Sequence, residues 1–220
     1  MMEIWVIGAS KFAMDVSGFM EAALGRAGTD YVHRGFLWVE GEEMAADPEV
    51  TRPFSAEMLR ANGVVVAVSD LRARARLFAE YHEALRAAAV NIIHPSAMLA
   101  KGCQIGTGNI IGPYCYIGVN SSIGDFNVLN YQIGFGHHSQ LGDANFLAPG
   151  FQCGNTVKIG NGNFFGLSCT VGPGLAIGNN NRFQAGATVT QPVANDLLCF
   201  SSERMKAVQL PQEVVKDAAS

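Results

Sequence analysis

Ile105-Gly106-Thr107-Gly108-Asn109-Ile110-Ile111-Gly112-Pro113-Tyr114-Cys115-Tyr116-Ile117-Gly118 is the stretch that decides the fold. An apolar residue followed by glycine returns in it every six positions, at Ile105, Ile111 and Ile117. Followed backward, the step reaches Leu99 and Ile93. Followed forward, it gives Ile123, Leu129, Phe135, Leu141, Leu147, Cys153, Ile159, Phe165, Val171, Ile177, Phe183 and Val189. All 17 positions are apolar in a chain that is 49% hydrophobic, so composition does not explain the period. Glycine follows 11 of the 17. A six-residue period in this register describes a solenoid in which each hexad supplies one short strand and one corner.

The register dictates the architecture. Three hexads close a triangular coil of about 18 residues, and each coil lays its strands on the one below. Residues 18 apart then form inward columns, one of them Ile93, Ile111, Leu129, Leu147, Phe165 and Phe183. Glycine after the column residue removes a Cβ where the corner turns. Asn109, Asn127, Asn145, Asn163 and Asn181 recur on the same period, an expected fit to corners with left-handed backbone. The expected fold class is an α/β N-terminal subdomain followed by an all-β left-handed parallel β-helix.

Before the repeat, Glu3–Ile7 reads as a buried strand, Gly8-Ala9-Ser10 as a tight turn with Ser10 capping a helix, and residues 12–23 as that helix. Further strands are expected at Gly35–Val39 and Val64–Val68, a loop over Glu40–Pro53, a short helix over Ser55–Ala61, and a helix from Asp70 to Ala88. Alternating elements imply a small parallel sheet, which binds ligands at the carboxyl ends of its strands. That rule singles out Gly8, Ala9, Ser10, Glu40 and Asp70 as substrate-binding candidates. A strand–turn–helix needs a small residue at Gly8-Ala9-Ser10 with or without a ligand, so the turn alone leaves both readings open. The expected division is 1–90 for this domain, 91–195 for the β-helix and 196–220 for a C-terminal cap or tail.

The bulk properties narrow the function classes. A net charge of −4 gives no general attraction to nucleic acid or to an anionic membrane. No apolar run approaches the roughly 20 residues that cross a bilayer, and the start of the chain carries no basic leader, so a cytoplasmic location is expected. The five cysteines form no CxxC pair, and four lie inside the repeat as small core residues. No metal site is expected from them.

Ile92-Ile93-His94-Pro95-Ser96-Ala97 at the junction, Val157-Lys158-Ile159-Gly160 in the middle coils and Gly186-Ala187-Thr188-Val189 near the end resemble the sugar acyltransferases of the sialic-acid-cluster and bacillosamine-pathway type. The resemblance covers nearly the whole chain. It implies a Rossmann-like nucleotide-sugar domain joined to a hexapeptide-repeat left-handed β-helix, a homotrimer, and acetyl-CoA as acyl donor in the groove between neighbouring helices. It also implies a histidine followed by an acidic residue where the two sites meet. Matching the repeats without gaps puts that histidine at His137, with His138 in place of the acid. The direction of the family's cofactor brings in Gly166, Leu167, Ala185 and Gly186.

Three departures bear on the substrate. Lys11-Phe12-Ala13 stands where the family has Gly-His-Gly, Trp38-Val39 replaces an acidic pair with Glu40 alone nearby, and Phe200-Ser201-Ser202-Glu203 replaces the closing motif. Phe12, Trp38 and Phe146 point to a pocket more apolar and aromatic than is usual.

The chemistry agrees with the assignment of His137. Acyl transfer from a thioester needs a base for the attacking group's proton and donors for the oxyanion. Histidine, with an ordinary pKa near 6.5, suits the first task. His137 and His138 fall at a corner, one coil from Val119 and Asn120 on one side and from Asn155 and Thr156 on the other. Asn155 is therefore a candidate for orienting His137 or binding the acyl oxygen, and Asp143 or Asp125 could hold the imidazole. A bare pair of histidines by itself favours a solvated corner or a trimer interface over a catalytic role, and the family's position reverses this for His137. His94 belongs to the turn that opens the β-helix, while His33 and His82 are expected at the surface. Lys158, Arg182, Arg204 and Lys206 are the cations available to CoA phosphates.

The expected function is transfer of an acetyl group to the amine of an amino sugar, nucleotide-linked, with sugar O-acetylation as the near alternative. Two other classes stay open. One is a zinc carbonic-anhydrase-like trimer, which adjacent His137 and His138 fit poorly; the other is a non-catalytic β-helix scaffold.

Overall fold

The computed structural model describes residues 2–26, 30–60 and 63–200. The first part contains β1 (Met2–Ile7), α1 (Lys11–Arg26), β2 (Tyr31–Trp38), β3 (Thr51–Pro53), β4 (Gly63–Val66) and α2 (Leu71–Ala88). Its strands form one parallel sheet in the order β3-β2-β1-β4. The central strands read as continuous apolar runs because both faces of the sheet are covered. Ile4 and Val6 pack with Ala13, Val16 and Met20 of α1, whereas Trp5, Ile7, Val64 and Val66 pack with Ala73, Leu77 and Leu85 of α2. Asp70 starts α2, its carboxylate accepting the Arg72 and Ala73 N–H groups at 3.0 and 2.8 Å.

Two expectations change here. Thr51–Pro53, inside the expected loop, pairs with Phe36–Trp38 as a three-residue edge strand. Its proline and charge hid it, yet an edge strand tolerates a missing N–H. The helix expected over Ser55–Ala61 is one 3-10 turn, Ala56–Leu59, and Ala61 lies outside the described residues.

From Ile92 onward the chain forms two-residue strands stacked into three parallel sheets of seven, six and five strands, which fits a left-handed parallel β-helix. Strands at Ile92–Ile93 and every 18 residues to Arg182–Phe183, then Leu198–Cys199 after a step of 16, make the first face, those from Met98–Leu99 the second, and those from Gln104–Ile105 the third. The expected inward column exists: Ile93, Ile111, Leu129, Leu147, Phe165 and Phe183 pair in register. Phe165 and Phe183 stack with centroids 4.4 Å apart and planes 3° from parallel. All five cysteines are free, and all face this core. Burial drives the Cys115 and Cys153 thiols up to about 11 and about 12. Glycine is required by close approach: a Cβ on Gly136 would sit 2.1 Å from the Gly154 oxygen of the next coil.

The asparagines follow a different logic from the one expected. The left-handed residues are their predecessors, such as Phe126 at φ 56° and Ala144 at φ 56°. The asparagine side chains instead point inward and are buried. From Asn109 to Asn163 each Oδ1 accepts the backbone N–H of the asparagine one coil on, at 2.8–2.9 Å, and Asn181 Oδ1 accepts the Leu197 N–H at 2.9 Å. This ladder satisfies N–H groups that would otherwise be buried without partners.

The two parts share a core. Ile92, Ile110, Val128 and Phe146 point outward from the first face into the cluster that contains Ile4, Val6 and Met20. At the edge between the third and first faces, Phe126 packs 4.9 Å from Phe78, and the buried Arg74 guanidinium donates to the Phe126 carbonyl. The first face and this edge are thus covered, and the opposite edge is free of the first domain.

Candidate active site

His137 and His138 lie on that opposite edge, between the strands Gly134–Phe135 of the second face and Gln140–Leu141 of the third. Both are exposed. His138 occupies a column of left-handed corner residues, Gly102, Asn120, His138, Thr156 and Gly174, with φ from 54° to 80°. Asparagine and histidine tolerate this region better than most residues. The His138 N–H donates to the Val119 oxygen at 2.8 Å, and Thr156 N–H donates to the His137 oxygen at 3.0 Å, so the backbone under both rings is fixed from two sides.

The rings contact each other. Nδ1 of His137 and Nδ1 of His138 are 3.0 Å apart with the planes at 88°, and His138 Nε2 lies 3.2 Å from Asn120 Nδ2. The other expected orienters are elsewhere. Asn155 is exposed one coil beyond His137, and its amide makes no hydrogen bond to either ring. Asp125 and Asp143 lie on the covered edge. Asp125 accepts from Thr107 N–H and pairs with Arg86 at 2.7 Å, while Asp143 accepts from Asp125 N–H. Among the described residues, Asn120 is what reaches the pair. The signal in sequence was its 18-residue spacing from His138.

Leu167, Ala185 and Gly186 are exposed, and Gly166 is buried at the root of its corner. Gly186 N–H donates to the Leu167 oxygen at 2.7 Å, so these corners stack directly. They belong to the edge between the first and second faces, not to the edge of His137. Lys158 is exposed on the third face, one coil beyond Gln140. Arg182 is half-buried and donates to the Gly162 and Asn181 oxygens, which turns it away from service as a free cation. Arg204 and Lys206 lie outside the described residues, as does all but the first part of the expected 196–220 cap.

In the first domain, Gly8, Ala9 and Ser10 are buried under the segment that follows β2. Ala45 and Ala46 N–H groups both bond the Ala9 oxygen, and Glu42 Oε2 accepts the Ala9 N–H at 3.2 Å. Burial raises the Glu42 pKa against the opposing hydrogen bonds from Ser10, Ala9 and Ser69. The Glu42 carboxyl thus occupies the N-terminal turn of α1, where the hydrogen bonds it accepts offset only part of the cost of burying its charge. Glu42 has no period or motif around it, so the sequence concealed it.

Glu40 instead lines a cavity of about 330 Å³ with Trp38, Phe54, Arg76, Glu80 and Tyr81, at the carboxyl ends of β2 and β3. Arg76, Glu80 and Tyr81 were legible only as one face of α2. Asp70 borders a second, open cavity of about 460 Å³ with Ser69, Arg72 and Phe164. Phe12 and Phe146 do not line this cavity; they touch each other, 5.4 Å apart, in the interdomain core, against which Trp38 also packs. His33, expected at the surface, is half-buried between Ser17 and Phe36. Burial lowers its pKa.

The fold is shared with solved structures, acetyltransferases among them. A histidine-to-asparagine variant of perosamine N-acetyltransferase from Caulobacter crescentus, in complex with CoA and GDP-perosamine, superposes with a TM-score of 0.71 at 23% identity, covering 94% of this chain and 97% of that one. WeeI from Acinetobacter baumannii AYE gives 0.74 at 19% identity over 90% and 97%. The acetyltransferase domain of PglB from Neisseria gonorrhoeae FA1090, in complex with acetyl coenzyme A, gives 0.70 at 18% identity over 89% and 95%. No protein-family model matches the sequence. No curated protein sequence matches it either.

Proposed function

We propose that this protein is an acetyl-CoA-dependent acyltransferase that acetylates the amine of a nucleotide-linked amino sugar, with His137 as general base. The observation that carries the reading is the exposed His137–His138 pair on the one β-helix edge opposite the first domain. The shared fold with a CoA- and GDP-perosamine-bound acetyltransferase supports the choice of substrates. His137 takes the proton as the amine nitrogen attacks the thioester carbonyl, and returns it to the leaving thiolate as the C–S bond breaks. The products are the amide and CoA.

The placement of the parts argues for a homotrimer. His137 and the Leu167–Gly186 strip sit on different edges of one prism, and the cavity of Trp38, Phe54 and Tyr81 belongs to the domain on the far side from His137. Packing β-helices side by side brings His137 of one chain against another chain's Leu167 edge. Such a groove between chains holds the pantetheine arm, with Lys158 near its phosphate-bearing end. The aromatic cavity takes the nucleobase. The first domain is then the nucleotide-binding, Rossmann-like part, and its carboxyl-end cavity sets the acceptor.

Release of CoA thiol from acetyl-CoA, followed over a panel of nucleotide-linked amino sugars, tests the reading. Wild-type turnover of one acceptor and its loss in His137→Ala by about 100-fold or more support it. Turnover undiminished in His137→Ala refutes the assignment of the base.

A further inference from the structure

Among the described residues, the contacts of His137 leave it without a carboxylate partner and assign its tautomer to a neutral chain. His137 Nδ1 faces His138 Nδ1 at 3.0 Å, and His138 Nε2 faces the Asn120 amide at 3.2 Å. Each of these two hydrogen bonds holds one proton, so the three side chains have only two complementary arrangements when both rings are neutral. With the Asn120 N–H donating to His138, the His138 proton sits on Nδ1 and is donated to His137 Nδ1. The proton of His137 is then on Nε2, facing outward, and that nitrogen cannot accept another. With the Asn120 amide turned by half a revolution, its oxygen accepts His138 Nε2–H. His138 Nδ1 then accepts His137 Nδ1–H, and His137 Nε2 carries a free lone pair.

We propose that Asn120 and His138 are positioning residues that set the tautomer of His137, so that the orientation of the Asn120 amide decides whether His137 acts as a base. The inference rests on the acyltransferase reading for its consequence in turnover, but not for its consequence in the imidazole protons. Both residues are held for the purpose. They are adjacent members of the left-handed corner column, Asn120 N–H donates to the Lys101 oxygen at 3.1 Å, and His138 N–H donates to the Val119 oxygen at 2.8 Å. The Asn120 oxygen sits over Gly102, where a Cβ would lie 2.2 Å from it, so glycine one coil below gives the amide its room. When the amine proton reaches His137 Nε2, the imidazolium keeps its Nδ1–H on His138, and the relay ends on the Asn120 oxygen without any change in net charge beyond that proton.

Imidazole nitrogen shifts of ¹⁵N-histidine-labelled full-length protein read the tautomer directly. They are recorded near pH 9, above the ordinary imidazole range, for wild type, Asn120→Asp and Asn120→Gly, which both suit a left-handed corner. The accept-only carboxylate of Asn120→Asp is expected to fix the proton of His137 on Nδ1, leaving Nε2 bare. Asn120→Gly, with no partner for His138, is expected to show His137 mixed between both tautomers. In turnover, Asn120→Gly is expected to lose about 10-fold or more in kcat with KM for acetyl-CoA unchanged, and Asn120→Asp to retain or exceed wild-type kcat. Identical His137 nitrogen shifts in all three proteins overturn the proposal even if the enzyme turns over. Shifts that respond as expected in a protein with no transferase activity uphold the tautomer control and refute the catalytic reading instead.

Discussion

The β-helix and the domain before it are built on opposite principles. In the β-helix one rule, repeated every 18 residues, sets the core, the corner glycines and the asparagine ladder, so each coil meets nearly the same environment as its neighbours. In the first domain no position repeats, and single contacts decide the structure: Asp70 capping α2, Glu42 on the Gly8–Ser10 turn, Arg74 tying the sheet end to Phe126. The β-helix is therefore robust in fold and sparse in chemistry, with His137 and His138 as a local exception on its edge. Under the proposed function, the first domain is where acceptor specificity can vary without disturbing the stack.

Substitutions test that contrast. Phe165→Ala, in the inward column with no exposure, is expected to cost about 3–5 kcal/mol in denaturant unfolding. A loss below about 1 kcal/mol would mean that the coils collapse around the gap and are not rigidly registered. Asn145→Ala removes a ladder acceptor, strands the Asn163 N–H in the core, and is expected to cost about 1–3 kcal/mol. Asn127→Ala should cost the same within error, because the two sites are equivalent by the repeat; a large difference would break the rule of equal coils. Asp70→Ala, a single non-repeated cap, is expected to cost about 1 kcal/mol.

The smallest effect separates by pH. The carboxyl of Glu42 has its pKa raised in the folded protein, so its neutral form favours folding and its ionisation opposes it. The sign is then fixed. Relative to Glu42→Gln, wild type is expected to be most stable below the unperturbed value of 4.5 and to lose that advantage as pH rises through the raised value. Unfolding midpoints of both proteins across this range check it, and a difference independent of pH would remove the buried carboxylate from the account.

The same contrast explains what the sequence made legible. Ile93 to Phe183 could be read as a column because one error in register would have put polar residues inside. The corner glycines followed from the same count. The asparagines were placed correctly but for the wrong reason, since period alone cannot tell a left-handed corner from the inward-facing residue after it. Thr51–Pro53 was missed because three residues with a proline carry no strand signal until a neighbour pairs with them. Glu42 was missed because its burial depends on a fold-back of the segment after β2. At the candidate site, His137 and His138 came from matched repeats. The role of Asn120 needed the direction in which its side chain lies: Asn155, equally near by the 18-residue spacing, leaves the rings alone, and Asp125 and Asp143, off that spacing, lie at another corner.

The proposed function requires that the β-helix edges form an acetyl-CoA site in which His137 serves the chemistry and not the binding. Isothermal titration of acetyl-CoA into wild-type protein and into His137→Ala tests this most directly. Saturable binding of one acetyl-CoA per chain is expected for both, with dissociation constants within a few-fold of each other. Absence of binding to either protein would contradict it and leave a β-helix that shares a fold with acetyltransferases and serves another purpose.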